Sequence, residues 1–167
     1  MNVSAWNIGG ELTLADTETS SQQSGFGVLN VDTGGHVNVA SQLRIRNLGD
    51  VNLNGGEIVV GGSILFTDAG STFNFTAGTL RLTDAAGYTL SASQLQGVLG
   101  ANPTLASGKH LAVAGTAVLS APLRLDGGTF SVGAISAANV SNLDFDAGTF
   151  NLTSAKLTVG AGVSDGL

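Results

Sequence analysis

The sequence predicts an all-β chain wound as a right-handed parallel β-helix, a three-faced solenoid of about 20–22 residues per coil. Three observations predict it. First, residues 28–82 are a row of apolar-x-apolar triplets separated by small turns. Second, every third triplet returns in register. Leu29, Val51 and Phe73 are 22 and 22 residues apart, Val37, Ile58 and Leu80 are 21 and 22 apart, and Leu43 and Ile64 are 21 apart. Third, the turns hold Gly, Asp, Asn and Ser, which accept positive φ or bond their own backbone. In a strand, residues i and i+2 share a face, so each triplet gives two inward residues and one outward residue. Three triplets close one coil, and parallel crossovers favour the right-handed winding.

In chain order, residues 1–26 read as an N-terminal coil and cap. Trp6-Asn7-Ile8 and Leu12-Thr13-Leu14 are two short strands, and a polar surface loop follows at 16–24. Trp6 is placed to cover the open end of the first core layer. Residues 27–83 form the first repeat module. Its inward residues stack as Leu29/Val51/Phe73 and Val31/Leu53/Phe75, and Asn30, Asn52 and Asn74 point outward as a ladder. Residues 84–110 break the rhythm. Leu95, Val98 and Leu99 have helical spacing, Ser91 or Ser93 is the N-cap, Gly100 is the C-cap, and Asn102-Pro103 turns the chain back. This predicts one short helix or a bulky loop. Residues 111–163 resume the triplets as a second module, with Leu123 to Leu143 and Phe130 to Phe150 each 20 apart. Three segments echo the first module, 34–45 in 114–125, 55–61 in 127–133 and 74–85 in 144–155, at offsets of 80, 72 and 70. The whole of 1–167 is read as one solenoid domain.

Composition narrows the function classes. Charged residues are only 11 %, against roughly 25 % in ordinary globular chains. The net charge is −6, and the six basic residues, Arg44, Arg46, Arg81, Lys109, Arg124 and Lys156, are scattered, which is a poor footprint for nucleic acid. No apolar run reaches the ~18 residues of a membrane span. Met1 is followed by a polar segment, not by the basic region and apolar core of a signal peptide. The absence of Cys excludes disulfides and thiolate metal sites and leans towards an exported protein. The ends, MNVSAW and VSDGL, read as cuts through a longer exported chain.

The runs GVLNVDTGGHVNVASQLRI, VNLNGGEIVVGGSI, STFNFTAGTLRL and LRLDGGTFSVGAI resemble the Gly/Asn/Thr-rich repeats of large bacterial exported proteins. The likeness is to PEP-CTERM-anchored exoproteins, with autotransporter passenger β-helices as cousins. It covers about residues 25–83 and 111–162 through motifs of the form G-G-x-apolar-x-apolar. A sorting tail with Pro-Glu-Pro, an apolar span and a basic end is not in the sequence. The resemblance implies secretion, a right-handed β-helix and an extracellular or cell-surface matrix role.

Candidate chemistry is sparse. A carbohydrate-cleaving β-helix needs clustered carboxylates on one face. Asp144 and Asp146 flank Phe145 and point outward, and Asp126, 20 residues before Asp146, is placed to stack beside it. Solvated turn acids flanking a glycine are the favoured reading. A metal site is the alternative; with oxygen ligands alone it would take calcium, although the nonapeptide calcium repeat is absent. His36 and His110 have no carboxylate or second His at ligand spacing and read as surface residues. No nucleophile elbow appears, and the glycines of 55–62 lack a P-loop Lys. A flat Thr face for ice is not predicted, because Thr79, Thr129 and Thr149 sit beside turns. Exposed aromatics for glycan stacking are few, Trp6 and Tyr88. The sequence therefore predicts a non-enzymatic structural segment without a cofactor: a scaffold, adhesin stalk or self-associating filament. A glycan- or surface-binding module and a polysaccharide-acting enzyme are the alternatives, with self-association or a surface glycan as the expected partners.

Overall fold

The computed structural model describes residues 5–15, 26–67, 70–136 and 142–158. Strand pairing is parallel throughout the described residues, and the chain winds into the stacked coils of a β-solenoid. Face two carries the inner stack that runs furthest. It starts with β1 (Trp6–Ile8), then β4 (His36–Val39). The second halves of β6 (Gly49–Val60) and β8 (Thr72–Leu82) follow. The start of β11 (Lys109–Leu119) and the middles of β12 (Leu123–Ser136) and β13 (Leu143–Thr158) complete it. Face one holds β3 (Gly27–Asp32), the first halves of β6 and β8, β10 (Thr104–Ala106), and the starts of β12 and β13. Face three holds β2 (Leu12–Leu14), β5 (Leu43–Ile45) and β7 (Ile64–Phe66), then β9 (Tyr88–Leu90) and the ends of β11, β12 and β13.

The predicted returns are the observed registers. Leu29 pairs with Val51 and Val51 with Phe73; Val37 pairs with Ile58 and Ile58 with Leu80; Leu43 pairs with Ile64. On face two the inward column runs Trp6, Val37, Ile58, Leu80, Leu111, Phe130, Phe150. Val39, Val60, Leu82, Val113 and Val132 line the next column and are buried. The buried residues of both columns belong to one apolar core, continuous from Leu14 to Ile135, and Phe150 packs against it. Trp6 is the outermost described member of its column. It lies over Val37 and stays 46 % exposed, so it covers the layer beneath it only in part.

The corner between faces one and two is a column of glycines with positive φ: Gly34, Gly55, Gly78, Gly108, Gly127 and Gly148. At Gly34 and Gly108 a short turn separates two strands, whereas β6, β8, β12 and β13 each run through the corner as one strand. Gly78 shows why the corner is glycine. Its φ is 104°, which L side chains rarely adopt, and a Cβ there would overlap the carbonyl oxygen of Gly56 one coil below.

The segment 84–110 contains helix α1 (Ala92–Leu99). Ser91 is the N-cap and forms a capping box with Gln94, and Gly100 is the C-cap, at φ 87°. Leu95 and Val98 are buried. The helix replaces strand pairing on two of the three faces. Face two passes it unbroken, because β8 pairs with β11. On face three, among the described residues, β7 pairs only with β5, and β9 pairs only with β11. On face one, among the described residues, the Thr72–Phe75 part of β8 pairs only with β6, and β10 pairs only with β12.

Besides Tyr88, read as an exposed aromatic but buried in the core, two expectations need correction. The echo of 34–45 in 114–125 is out of phase with the fold: Val37 lies on face two, whereas Ala117 and Leu119 lie on face three. The echoes at offsets 72 and 70 keep their faces, since Ile58 and Phe130 share one column and β8 and β13 both turn the glycine corner. The second correction concerns Asp126. A bulge at the corner pairs Leu125 with Phe145 but Asp126 with Ala147, so Asp126 stacks beside Ala147 and not beside Asp146.

Candidate functional site

Outward side chains on face one form a polar lattice along the stacking axis. Asn52 Nδ2 donates to Asn30 Oδ1 at 2.8 Å, and Asn74 Nδ2 donates to Asn52 Oδ1 at 2.8 Å. Thr72 Oγ1 donates to Asp50 on one side of this ladder. On the other side Asn54 Nδ2 donates to Asp32 Oδ1 at 3.4 Å, and Thr76 Oγ1 donates to Asn54 Oδ1 at 2.6 Å. Each rung uses its neighbour one coil away as partner, so the lattice consumes its own donors and acceptors.

Face two carries both histidines, Glu57 and Arg81. Glu57 lies between His36 and Arg81: His36 Nδ1 is 3.1 Å from Oε2, and Arg81 Nε is 2.9 Å from Oε1. Further along the same face, Ser131 Oγ is 2.8 Å from His110 Nε2 and accepts from Asn151 Nδ2 at 3.4 Å. Ser131 is only 8 % exposed. Burial holds the His110 imidazole below the ordinary histidine range; Arg81 adds to this and Glu57 opposes it. A serine beside a neutral imidazole has the make-up of a nucleophile–base pair. The third group that would orient the base is missing, because among the described residues no carboxylate hydrogen-bonds the second ring nitrogen of His110. Thr79, Thr129 and Thr149, which the sequence places beside turns, share one outward column with His36, Glu57 and His110.

The three acids singled out in the sequence surround Arg124. Asp146 sits at the corner bulge and reaches back to accept from Arg124 Nε. Asp144 pairs with Arg124 in register. The hydrogen bond and charge of Asp146, with smaller contributions from Asp126 and Asp144, hold the Arg124 guanidinium above its ordinary value. A cation thus already stands among the three carboxylates. Among the described residues no group of three or more His, Asp or Glu side chains is arranged to hold a metal ion. On face three Arg44 pairs with Glu11 at 2.9 Å, and the hydrogen bonds from Thr13 and then Arg44 lower the Glu11 carboxyl.

The sequence reading missed Glu57 and Ser131. The coil period signals Glu57, which pairs with His36 in register 21 residues on; Ser131 is a diagonal neighbour, two residues past Thr129, the register partner of His110. No helix among the described residues is long and apolar enough to cross a membrane. Fold and surface together define a β-solenoid whose polar faces are largely self-paired. No family model, curated protein or solved structure matches the chain.

Proposed function

We propose that the chain is a non-enzymatic structural segment of an exported bacterial protein, a spacer or scaffold at the cell surface. The observation that carries this reading is the pairing of outward polar groups with one another from coil to coil, above all Asn30, Asn52 and Asn74. A binding or catalytic site keeps unpaired groups converging on a concavity. Here the polar groups converge on each other, and the Asp126, Asp144 and Asp146 carboxylates are answered by Arg124. In this reading each coil adds a fixed rise of about 4.8 Å and an apolar layer, and length is the working property.

A second reading, binding of a glycan or another surface, is favoured by one observation: face two passes α1 unbroken and carries His36, Arg81, His110, Ser131 and Asn151. One experiment separates the two. The fourfold variant Glu57→Gln, Arg81→Gln, His110→Gln, Ser131→Ala is placed in the producing cell and compared with a deletion of the chain. The scaffold reading predicts that the fourfold variant, once shown to be folded, keeps the parental phenotype. A folded variant that reproduces the deletion phenotype overturns it in favour of binding or catalysis.

A further inference from the structure

We infer that α1 is a latch that undocks while the rest of the solenoid stays folded, making 84–110 a compliant joint between two stiff blocks. Among the described residues face two alone carries strand pairing across this level, through β8 and β11. On face three the ladder is open between β7 and β9, and a side chain bridges the gap. The Tyr88 hydroxyl accepts from the Ile64 backbone N–H at 3.0 Å and lies 3.4 Å from Gln94 Nε2 on the helix. In the regular coils that acceptor is a main-chain carbonyl: Leu12 N–H donates to Gln42, and Leu43 N–H to Ser63. Replacing a carbonyl ladder with one phenol ties strand, gap and helix into a single small unit.

Packing at the joint is close but thin. Gly97 lets the helix approach the Phe66 ring, which a Cβ at that position would strike. Leu95 and Val98 complete the apolar layer over Ile64, Leu80 and Leu82, around a small apolar cavity. Eight helical residues are too few to hold a helix without such packing. Loss of the Tyr88 bridge therefore loosens α1, whereas the strands of face two keep their ladder. The inference rests on the scaffold reading only for its purpose, giving a spacer extensibility under tension.

Amide hydrogen exchange on the folded chain tests it. Three amides report on the latch: Leu95 and Gly100, bonded within the helix, and Ile64, bonded to Tyr88. Gly61 and Thr83, bonded along face two to Val39 and Val60, report on the stack. The expected result is exchange of the latch amides at least about tenfold faster than the stack amides, through an opening that does not unfold the chain. Tyr88→Phe removes only the acceptor; it is expected to speed Ile64, Leu95 and Gly100 together by a further factor of about ten and to leave Gly61 and Thr83 unchanged. Exchange of all five amides through one common opening, shifting together in Tyr88→Phe, overturns the latch. That outcome leaves the scaffold reading intact, because the fourfold surface variant tests that separately.

Discussion

At the residue scale the fold rests on positions whose chemistry is narrow. Gly78 and Gly34 occupy the same corner with φ of 104° and 82°, but of the two only Gly78 has backbone against its missing Cβ. Gly34→Ala meets open space and is expected to cost about 1–2 kcal/mol from backbone strain alone. Gly78→Ala adds a clash with Gly56 and is expected to cost at least about 3 kcal/mol, both read by urea unfolding. The Asn ladder gives a second comparison. Asn52→Ala removes two amide bonds and Asn30→Ala one, so losses of roughly 1–2 and 0.5–1 kcal/mol are expected. Equal losses would show that the rungs do not act through the ladder. His110 sets a pH dependence. Its folded value is depressed, so the unfolded chain takes up the proton first as the solution is acidified. The stability that follows from keeping the ring neutral is present above the unfolded value of about 6.5 and is lost as pH falls below it. Unfolding measured from about pH 7.5 to 5.5 should show this loss, and His110→Gln should remove that component of it.

At the element scale the coil layer is the unit of stability. Phe130 is fully buried and stacks on Phe150 with ring centroids 5.8 Å apart, whereas Phe145 is 53 % exposed. Phe130→Ala is expected to cost about 3–5 kcal/mol and Phe145→Ala less than about 1 kcal/mol, in the same unfolding assay. These layers were readable because a strand exposes its period directly: Leu29, Val51 and Phe73 need only counting. Helix α1 was readable from Ser91, Gly100 and the 95/98/99 spacing, since caps are local signals. The corner bulge was not readable. Nothing in LDFDAG reveals that Asp146 is the extra residue, so Asp126 could be placed beside it only by assuming a constant coil length. The echo at offset 80 failed for the same reason: similar triplets occupy all three faces, and composition does not record which one. The Ser131–His110 contact is diagonal, since His110 pairs with Thr129 19 residues on and reaches two residues further to Ser131, so it emerged only with the register.

At the scale of the whole molecule, the chain is a stack in which one face is continuous and two are interrupted at one helix. This division could not be read from residues 84–110 alone, because it depends on which strands fail to pair across them. The central claim is that stacked coils, and not a site on them, are what the chain contributes. Excision of one coil tests it most directly. Removing residues 51–72 joins Asp50 to Phe73, which is the residue Val51 pairs with, and so preserves the register. Small-angle scattering is expected to show a folded particle shorter by about 4.8 Å, unfolding still cooperative, and a graded change in the phenotype of the producing cell. A folded, shortened chain with an unaltered phenotype, alongside a fourfold face-two variant that loses it, would contradict the account.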